Sequence, residues 1–256
     1  LSFSKTFYMD AQNRNGKPQD LTPYIKTAAI IPAGGSGRRM QAGASKQYLN
    51  LGGLPILAHT LRRFQKSPVI DAIYLVVPPG DEEEVRLSIV EAYGFTKVVK
   101  ILSGGTQRQD SVRNGLAALG PDVDVVMIHD GVRPFISEAM IRLVVMEAAS
   151  GGAAVLAVPA KETVKICDKK NRVTFTPDRD QVWLAQTPQA FRREIISRAY
   201  QKAYEDHFYG TDDAGLVERM CVAVSVSPGS YDNIKITTPD DLVMAESLIK
   251  KEEWSS

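Results

Sequence analysis

The chain has 256 residues, 44% of them hydrophobic and 24% charged, with a formal net charge of +1 at pH 7. That length supports one large α/β domain with a substantial core, and the near balance of charge argues against general nucleic-acid binding, so any cationic site should be local and aimed at a small anion. Cys167 and Cys221 stand alone with no C-x-x-C spacing, which excludes a cysteine zinc site or a disulfide framework, and no apolar run is long enough to cross a membrane. Without a signal-peptide core, the expected compartment is the cytoplasm.

Residues 1–26 lack helical or strand periodicity and read as a mobile tail, with Asp10 and Asp20 counting against a transit peptide. A single domain is expected over 27–250, with a short tail over 251–256. From Ala28 the chain runs as an apolar strand into Pro32-Ala33-Gly34-Gly35-Ser36-Gly37-Arg38-Arg39-Met40, followed by Lys46-Gln47-Tyr48. Backbone N–H groups and cations gathered after a strand suit a polyphosphate. The spacing is not that of a P-loop, and Met40 stands where a dinucleotide loop needs its third glycine.

Further apolar runs, 72–77, 98–101, 123–128 and 153–158, read as strands buried on both faces. Between them, Leu57, Leu61 and Phe64; Val85, Ile89 and Tyr93; Val112, Leu116 and Leu119; and Ile141, Val144 and Val145 are spaced as apolar faces of helices. The alternation predicts a doubly wound, mainly parallel sheet with its ligands at the carboxyl ends of the strands. Residues 163–167 and 172–176 alternate around Asp168-Lys169-Lys170-Asn171, the pattern of a projecting β-hairpin, which makes an arm at about 160–182 and suggests dimerisation. The remainder is expected to be helical: 191–204, a helix starting near Thr211-Asp212-Asp213, and 239–250 begun by Thr238-Pro239-Asp240-Asp241.

Three strand-end segments carry further polar chemistry. His129-Asp130-Gly131-Val132-Arg133-Pro134 offers a carboxylate for a metal or a ribose and an arginine for a phosphate. Gly104-Gly105-Thr106-Gln107-Arg108-Gln109-Asp110-Ser111 leads into a helix, and Tyr231-Asp232-Asn233-Ile234-Lys235 precedes the last one. Each alone could be a solvated turn.

Taken in order, these motifs, together with Gln186-Thr187-Pro188-Gln189, resemble the 2-C-methyl-D-erythritol 4-phosphate cytidylyltransferases over about Ala28 to Lys250. The resemblance implies a nucleotide-diphospho-sugar-transferase-like α/β fold, a homodimer built by the arm, and CTP, a polyol phosphate and Mg²⁺ as the reaction's components. It implies transition-state roles for Arg39 and Lys46, and positioning of the acceptor phosphate by Arg179 and Lys235. Asp130, Arg133, Thr163, Thr187 and Thr211 would line the acceptor side. Ala33, Gly34, Gly35, Gly37, Gly105, Arg108, Ser111 and Gly131 would cradle the nucleotide, and Asp130 and Asp232 would meet the metal. Thr106 departs from the acidic residue found there in some members, which puts a side-chain contact to the base from that position in doubt. Ribitol-5-phosphate cytidylyltransferase is the nearest alternative. An NAD-binding oxidoreductase is more distant, because Pro78-Pro79 stands where an acid should follow the second strand. A non-catalytic nucleotide-binding regulator is the third.

Overall fold

A computed structural model describes residues 24–34 and 46–254. Gly35, Gly37 and Arg39 lie outside the described residues, as does the side chain of Lys46, whose backbone opens a 3-10 turn at Lys46–Tyr48.

Among the described residues, eleven strands and seven α-helices follow one another in chain order. They are β1 (Thr27–Pro32), β2 (Asn50–Leu51), β3 (Leu54–Pro55), α1 (Ile56–Lys66), β4 (Ala72–Val77), α2 (Glu82–Val85), β5 (Val98–Ser103), α3 (Arg108–Ala117), β6 (Val125–Ile128), α4 (Glu138–Gly151) and β7 (Ala153–Pro159). Then come β8 (Ile166–Cys167), β9 (Val173–Phe175), β10 (Trp183–Arg192), α5 (Arg193–Glu205), α6 (Asp213–Glu218), β11 (Ser225–Pro228) and α7 (Pro239–Trp254). A seven-stranded sheet has the order β11-β7-β10-β6-β1-β4-β5. Strand β10 alone runs against the others, pairing antiparallel with β6 and β7, while β1 pairs parallel with β4 and β6, and β11 with β7.

The inner strands β1, β4, β6 and β7 are buried on both faces, which is why they read as continuous apolar runs, whereas β5 at the sheet edge is only partly covered, contrary to the expectation for 98–101. Ala29, Ile31, Leu75 and Met127 pack with Leu57, Leu61 and Phe64 of α1 and Ile141, Val144 and Val145 of α4. The alternate residues Ala28, Ile30, Val76, Val126 and Ile128 pack with Val112 of α3, Ile196 and Ala199 of α5, and Leu216 and Val217 of α6. A smaller cluster of Leu51, Ile56, Val132, Phe135 and Ile236 seats α7 through Ala245. Thr238 and Asp241 cap the start of α7 reciprocally, Thr238 N–H donating to the Asp241 carboxylate at 2.8 Å and Asp241 N–H to the Thr238 hydroxyl at 3.3 Å.

The structure departs from the sequence expectations in several places. Phe191 and Arg192 end β10 rather than opening a helix, and α5 begins at Arg193. Polar Gln186, Thr187 and Gln189 together with Pro188 hide this strand from a periodicity search, and a register shift between Ala185 and Gln189 accommodates the proline without breaking a regular ladder. The helix through Val85 and Ile89 continues as a π-helical turn over Arg86–Glu91 and stops before Tyr93. Residues 24–26 are not a tail: Lys26 N–H donates to the Asp124 carboxylate at 2.9 Å, and the Tyr24 hydroxyl and Lys26 ammonium bind Asp71 and Asp122. Helix α7 continues through Trp254, so 251–254 is helix as well. The hairpin of β8 and β9 forms as expected around Asp168–Asn171, but with shorter strands that are exposed on both faces.

Candidate active site

The carboxyl ends of β1, β4, β5 and β6 and the bulge of β10 converge on one edge of the sheet. Strand β1 hands over to Ala33, whose N–H donates to the Val76 carbonyl at 2.7 Å, and Gly131 N–H donates to the Pro32 carbonyl at 3.0 Å. A Cβ at Gly131 would sit 3.0 Å from the Ala33 Cβ and 3.2 Å from Leu57. Glycine lets the loop after β6 lie this close to the start of the glycine loop without pushing Ala33 and Leu57 aside. On the other side, the Ser111 hydroxyl accepts the Gly105 N–H at 3.0 Å and donates to the Gln107 carbonyl at 3.2 Å. Ser111 thus braces the Gly104–Gly105 turn at the start of α3.

Asp130 is the centre of the site. Its side chain is 8% exposed, and three cations surround it: Arg108 Nε at 2.9 Å, Lys235 Nζ at 2.8 Å and Arg133 Nε at 3.6 Å. Burial works to raise its pKa, but Arg108, then Lys235 and Arg133, overcome this and hold the carboxylate well below its usual range. Arg108 also clamps Asp213, its two terminal nitrogens donating to the carboxylate at 3.1 and 2.8 Å. Asp213 is almost wholly buried, accepts a hydrogen bond from the Tyr200 hydroxyl and takes its backbone partner from the Gln189 side-chain carbonyl at 3.1 Å. Burial disfavours the Arg108 charge, yet Asp213 and Asp130 hold its pKa well above the ordinary value. Around Asp130 and Asp213, three cations face two carboxylates, leaving a surplus positive charge at the strand ends.

The loop before α7 is tied into the same site. Asn233 is fully buried, donating from its side chain to the Gln186 amide oxygen at 3.1 Å and the Thr187 carbonyl at 2.9 Å. Its own carbonyl accepts Arg133 Nη1 at 2.8 Å. Lys235, two residues on, is thereby delivered to Asp130.

The structure thus brings together Arg108, Asp130, Arg133, Thr187 and Lys235, with Ala33 and Gly131 beside them. Thr211 is exposed at the start of α6. Arg179 and Thr163 are exposed on the arm, and among the described residues no hydrogen bond or ion pair joins either to Asp130. Sequence reading assigned no role to Asp213, Tyr200, Asn233 or Gln189, because a buried brace carries no local signal beyond the Thr211-Asp212-Asp213 and Asn233-Ile234-Lys235 motifs themselves. His59, within α1, lies apart from this cluster, its Nε2 2.7 Å from the Leu51 carbonyl.

The two carboxylates expected to meet the metal, Asp130 and Asp232, are each paired with cations. Among the described residues no three His, Cys, Asp or Glu side chains gather to hold an ion. Both Asp130 oxygens are engaged by cations, and the half-exposed Asp232 meets Lys251 at 3.1 Å. Magnesium is bound by one or two carboxylates together with substrate phosphates and water, and the site around Asp130 also presents cations. Its chemistry fits phosphate oxygens.

Comparison with known proteins agrees with this geometry. The profile of the 2-C-methyl-D-erythritol 4-phosphate cytidylyltransferase family matches residues 27–251. The chain belongs to this family. A cytidylyltransferase of that name from Syntrophus aciditrophicus is 54% identical over 228 residues, covering 89% of this chain and 97% of its own. One from Pelotomaculum thermopropionicum is 49% identical over 225 residues, covering 88% and 94%. Among solved structures, the 4-diphosphocytidyl-2C-methyl-D-erythritol synthase of Anaerococcus prevotii superposes with a TM-score of 0.79 at 38% identity, over 88% of this chain and 96% of that one. The Thermus thermophilus cytidylyltransferase gives 0.72 at 30% identity, over 88% and 100%. The mainly parallel sheet with its helical layers is therefore the nucleotide-diphospho-sugar-transferase fold shared by these cytidylyltransferases.

Proposed function

We propose that the chain transfers the cytidylyl group of CTP to 2-C-methyl-D-erythritol 4-phosphate. An oxygen of the acceptor phosphate attacks the α-phosphorus of CTP, the bond from that phosphorus to the bridging oxygen breaks, and pyrophosphate leaves with the electron pair. The products are 4-diphosphocytidyl-2-C-methyl-D-erythritol and pyrophosphate. With a second pKa of about 6, the acceptor phosphate is largely dianionic at neutral pH and needs no general base. The barrier is the meeting of two anions, and fixed cations lower it.

The observation that carries this reading is the surplus-positive cluster around Asp130, built in a chain of this family. In it, Lys235 and Arg133 hold the acceptor phosphate, while Arg39 and Lys46, on the glycine loop and just after it, neutralise the charge of the five-coordinate phosphorus. Gly34, Gly35, Gly37 and Gly105 cradle the nucleotide. Magnesium enters as the companion of the CTP triphosphate rather than as a resident of the protein. The exposed apolar residues Ile166, Val173 and Phe175 on the arm support pairing with a second copy. Across that pair Arg179 and Thr163 of one protomer complete the site of its partner. Free Cys167 and Cys221 accord with the cytoplasm as the compartment.

Incubation with Mg²⁺, CTP and methylerythritol phosphate should release pyrophosphate and form the cytidine diphosphate product, while ribitol 5-phosphate in its place should give little. Turnover of ribitol phosphate alone would transfer the assignment to the other acceptor. Mixing Arg179→Ala with Lys46→Ala protein should restore about a quarter of wild-type activity, since half the random dimers are mixed and each then has one intact site. Absence of recovery after verified subunit exchange would place Arg179 in its own protomer's site.

A further inference from the structure

The loop after β6 is pinned by a chain of hydrogen bonds whose direction can be worked out donor by donor. His129 Nε2 lies 3.0 Å from the carbonyl oxygen of Arg133. A carbonyl only accepts, so Nε2 carries a proton. The ring is fully buried, packs on Phe64 with centroids 4.9 Å apart, and meets a carbonyl and a hydroxyl at its two nitrogens, with no carboxylate among the described residues there to balance a charge. It is therefore neutral at pH 7, and Nδ1 is a bare acceptor. The Thr187 hydroxyl, 3.2 Å from Nδ1, gives its single proton there, and its oxygen accepts the Asp130 backbone N–H at 3.1 Å.

We propose that His129 and Thr187 are positioning residues: one Nε2-protonated tautomer, closed by the Thr187 hydroxyl, holds the backbone at both Asp130 and Arg133 and so aims their side chains at the phosphates. The chain has one sense only. Reversing the Thr187 hydroxyl would leave Nδ1 unpaired in a buried site and set a hydroxyl proton against the Asp130 N–H. With its proton committed inward, Thr187 has none to give an acceptor phosphate, which distinguishes this role from the direct contact that the family resemblance implies. The purpose of the relay rests on the cytidylyl-transfer reading; its hydrogen-bond order does not.

The test is a long-range ¹H–¹⁵N correlation spectrum of the histidine-labelled full chain at pH 7. The chain holds three histidines, His59, His129 and His207, and His129→Gln assigns the resonance. Expected is an Nε2-protonated neutral ring, with the Nδ1 shift unchanged on saturation with methylerythritol phosphate. A cationic ring, an Nδ1-protonated ring, or an Nδ1 shift that moves on acceptor binding would overturn the relay. In steady-state assays Thr187→Ser should stay within about threefold of wild type, whereas Thr187→Val should lose about tenfold in kcat with little change in KM. A raised acceptor KM at unchanged kcat would instead mark a direct phosphate contact and overturn the positioning role. Circular dichroism checks that Thr187→Val is folded, and the spectrum of unsubstituted protein stands independently of that variant. The expected tautomer in a protein that releases no pyrophosphate would defeat the assigned role by defeating the transfer reading, whereas the wrong tautomer in an active enzyme would defeat the relay alone.

Discussion

The loop after β6 and the arm of β8 and β9 both carry residues assigned to the acceptor side, yet they are built in opposite ways. Asp130 is buried, with each oxygen on a cation and its neighbours braced from β10, α6 and the loop before α7. The arm has a two-stranded ladder only, with Ile166, Val173 and Phe175 about half exposed or more. A two-stranded ribbon without a covering layer is marginal in water by itself. The contrast separates the half of the site that one chain finishes by itself from the half that, on our proposal, a second copy completes.

The largest effect is expected where the buried half is broken. Asp130→Ala leaves Arg108, Arg133 and Lys235 without their common counter-charge, and removing one partner of a buried ion pair costs about 3–5 kcal/mol. Urea unfolding should show that loss, and pyrophosphate release should fall by at least about a hundredfold, or roughly 3 kcal/mol of barrier. Wild-type stability in this variant would mean that the cations do not depend on Asp130.

The exposed half should respond differently. Phe175→Asp is expected to dissociate the dimer in analytical ultracentrifugation and to lower activity with it, while the unfolding free energy of the protomer changes by less than about 0.5 kcal/mol. Loss of fold instead of loss of association would contradict the division between the two regions.

A smaller effect follows from protons. His129 has a folded pKa of about 4 against an ordinary 6.5, with Asp130, Arg133 and Arg108 as its charged neighbours. Because the depressed group is a base, the unfolded chain binds more protons between these values, so stability falls as pH drops from about 6.5 to 4, by roughly 3 kcal/mol at most. The Asp130 carboxylate, held low by its three cations, contributes a separate loss only at more acidic pH. Unfolding free energies measured at pH 7 and pH 4.5 should differ in wild type more than in His129→Gln; equal differences would remove His129 as the cause. Least affected should be Asp232→Asn. Its exposed pair with Lys251 is worth about 0–1 kcal/mol, and activity at saturating Mg²⁺ should stay within about threefold. A large rise in the Mg²⁺ requirement would restore Asp232 as a metal ligand.

What could be read from the sequence follows the same physical division. Strands β1, β4, β6 and β7 were legible because both faces are buried and nearly every residue is apolar, and α1, α3 and α4 because one face is. Strand β10 was not, since its buried residues Gln186, Thr187 and Gln189 serve hydrogen bonds to other loops rather than a core. The motifs around Asp130, Arg133 and Lys235 announced a site, and the structure gathers them. Asp213 and Asn233 act through partners far away in the sequence, Arg108 and Thr187 respectively. Spacing cannot reveal such pairings. Ser111 was legible as part of a motif, but its hydroxyl is engaged with Gly105 and Gln107, a brace that only the fold displays.

The central claim is that cations anchored on Asp130 gather two anionic reactants. Lys235→Met, which keeps the length of the side chain and removes its charge, tests it most directly through the rate of pyrophosphate release with CTP and methylerythritol phosphate. The account predicts a fall in kcat/KM for the acceptor of about a hundredfold in a folded protein. Turnover at the wild-type rate would contradict it.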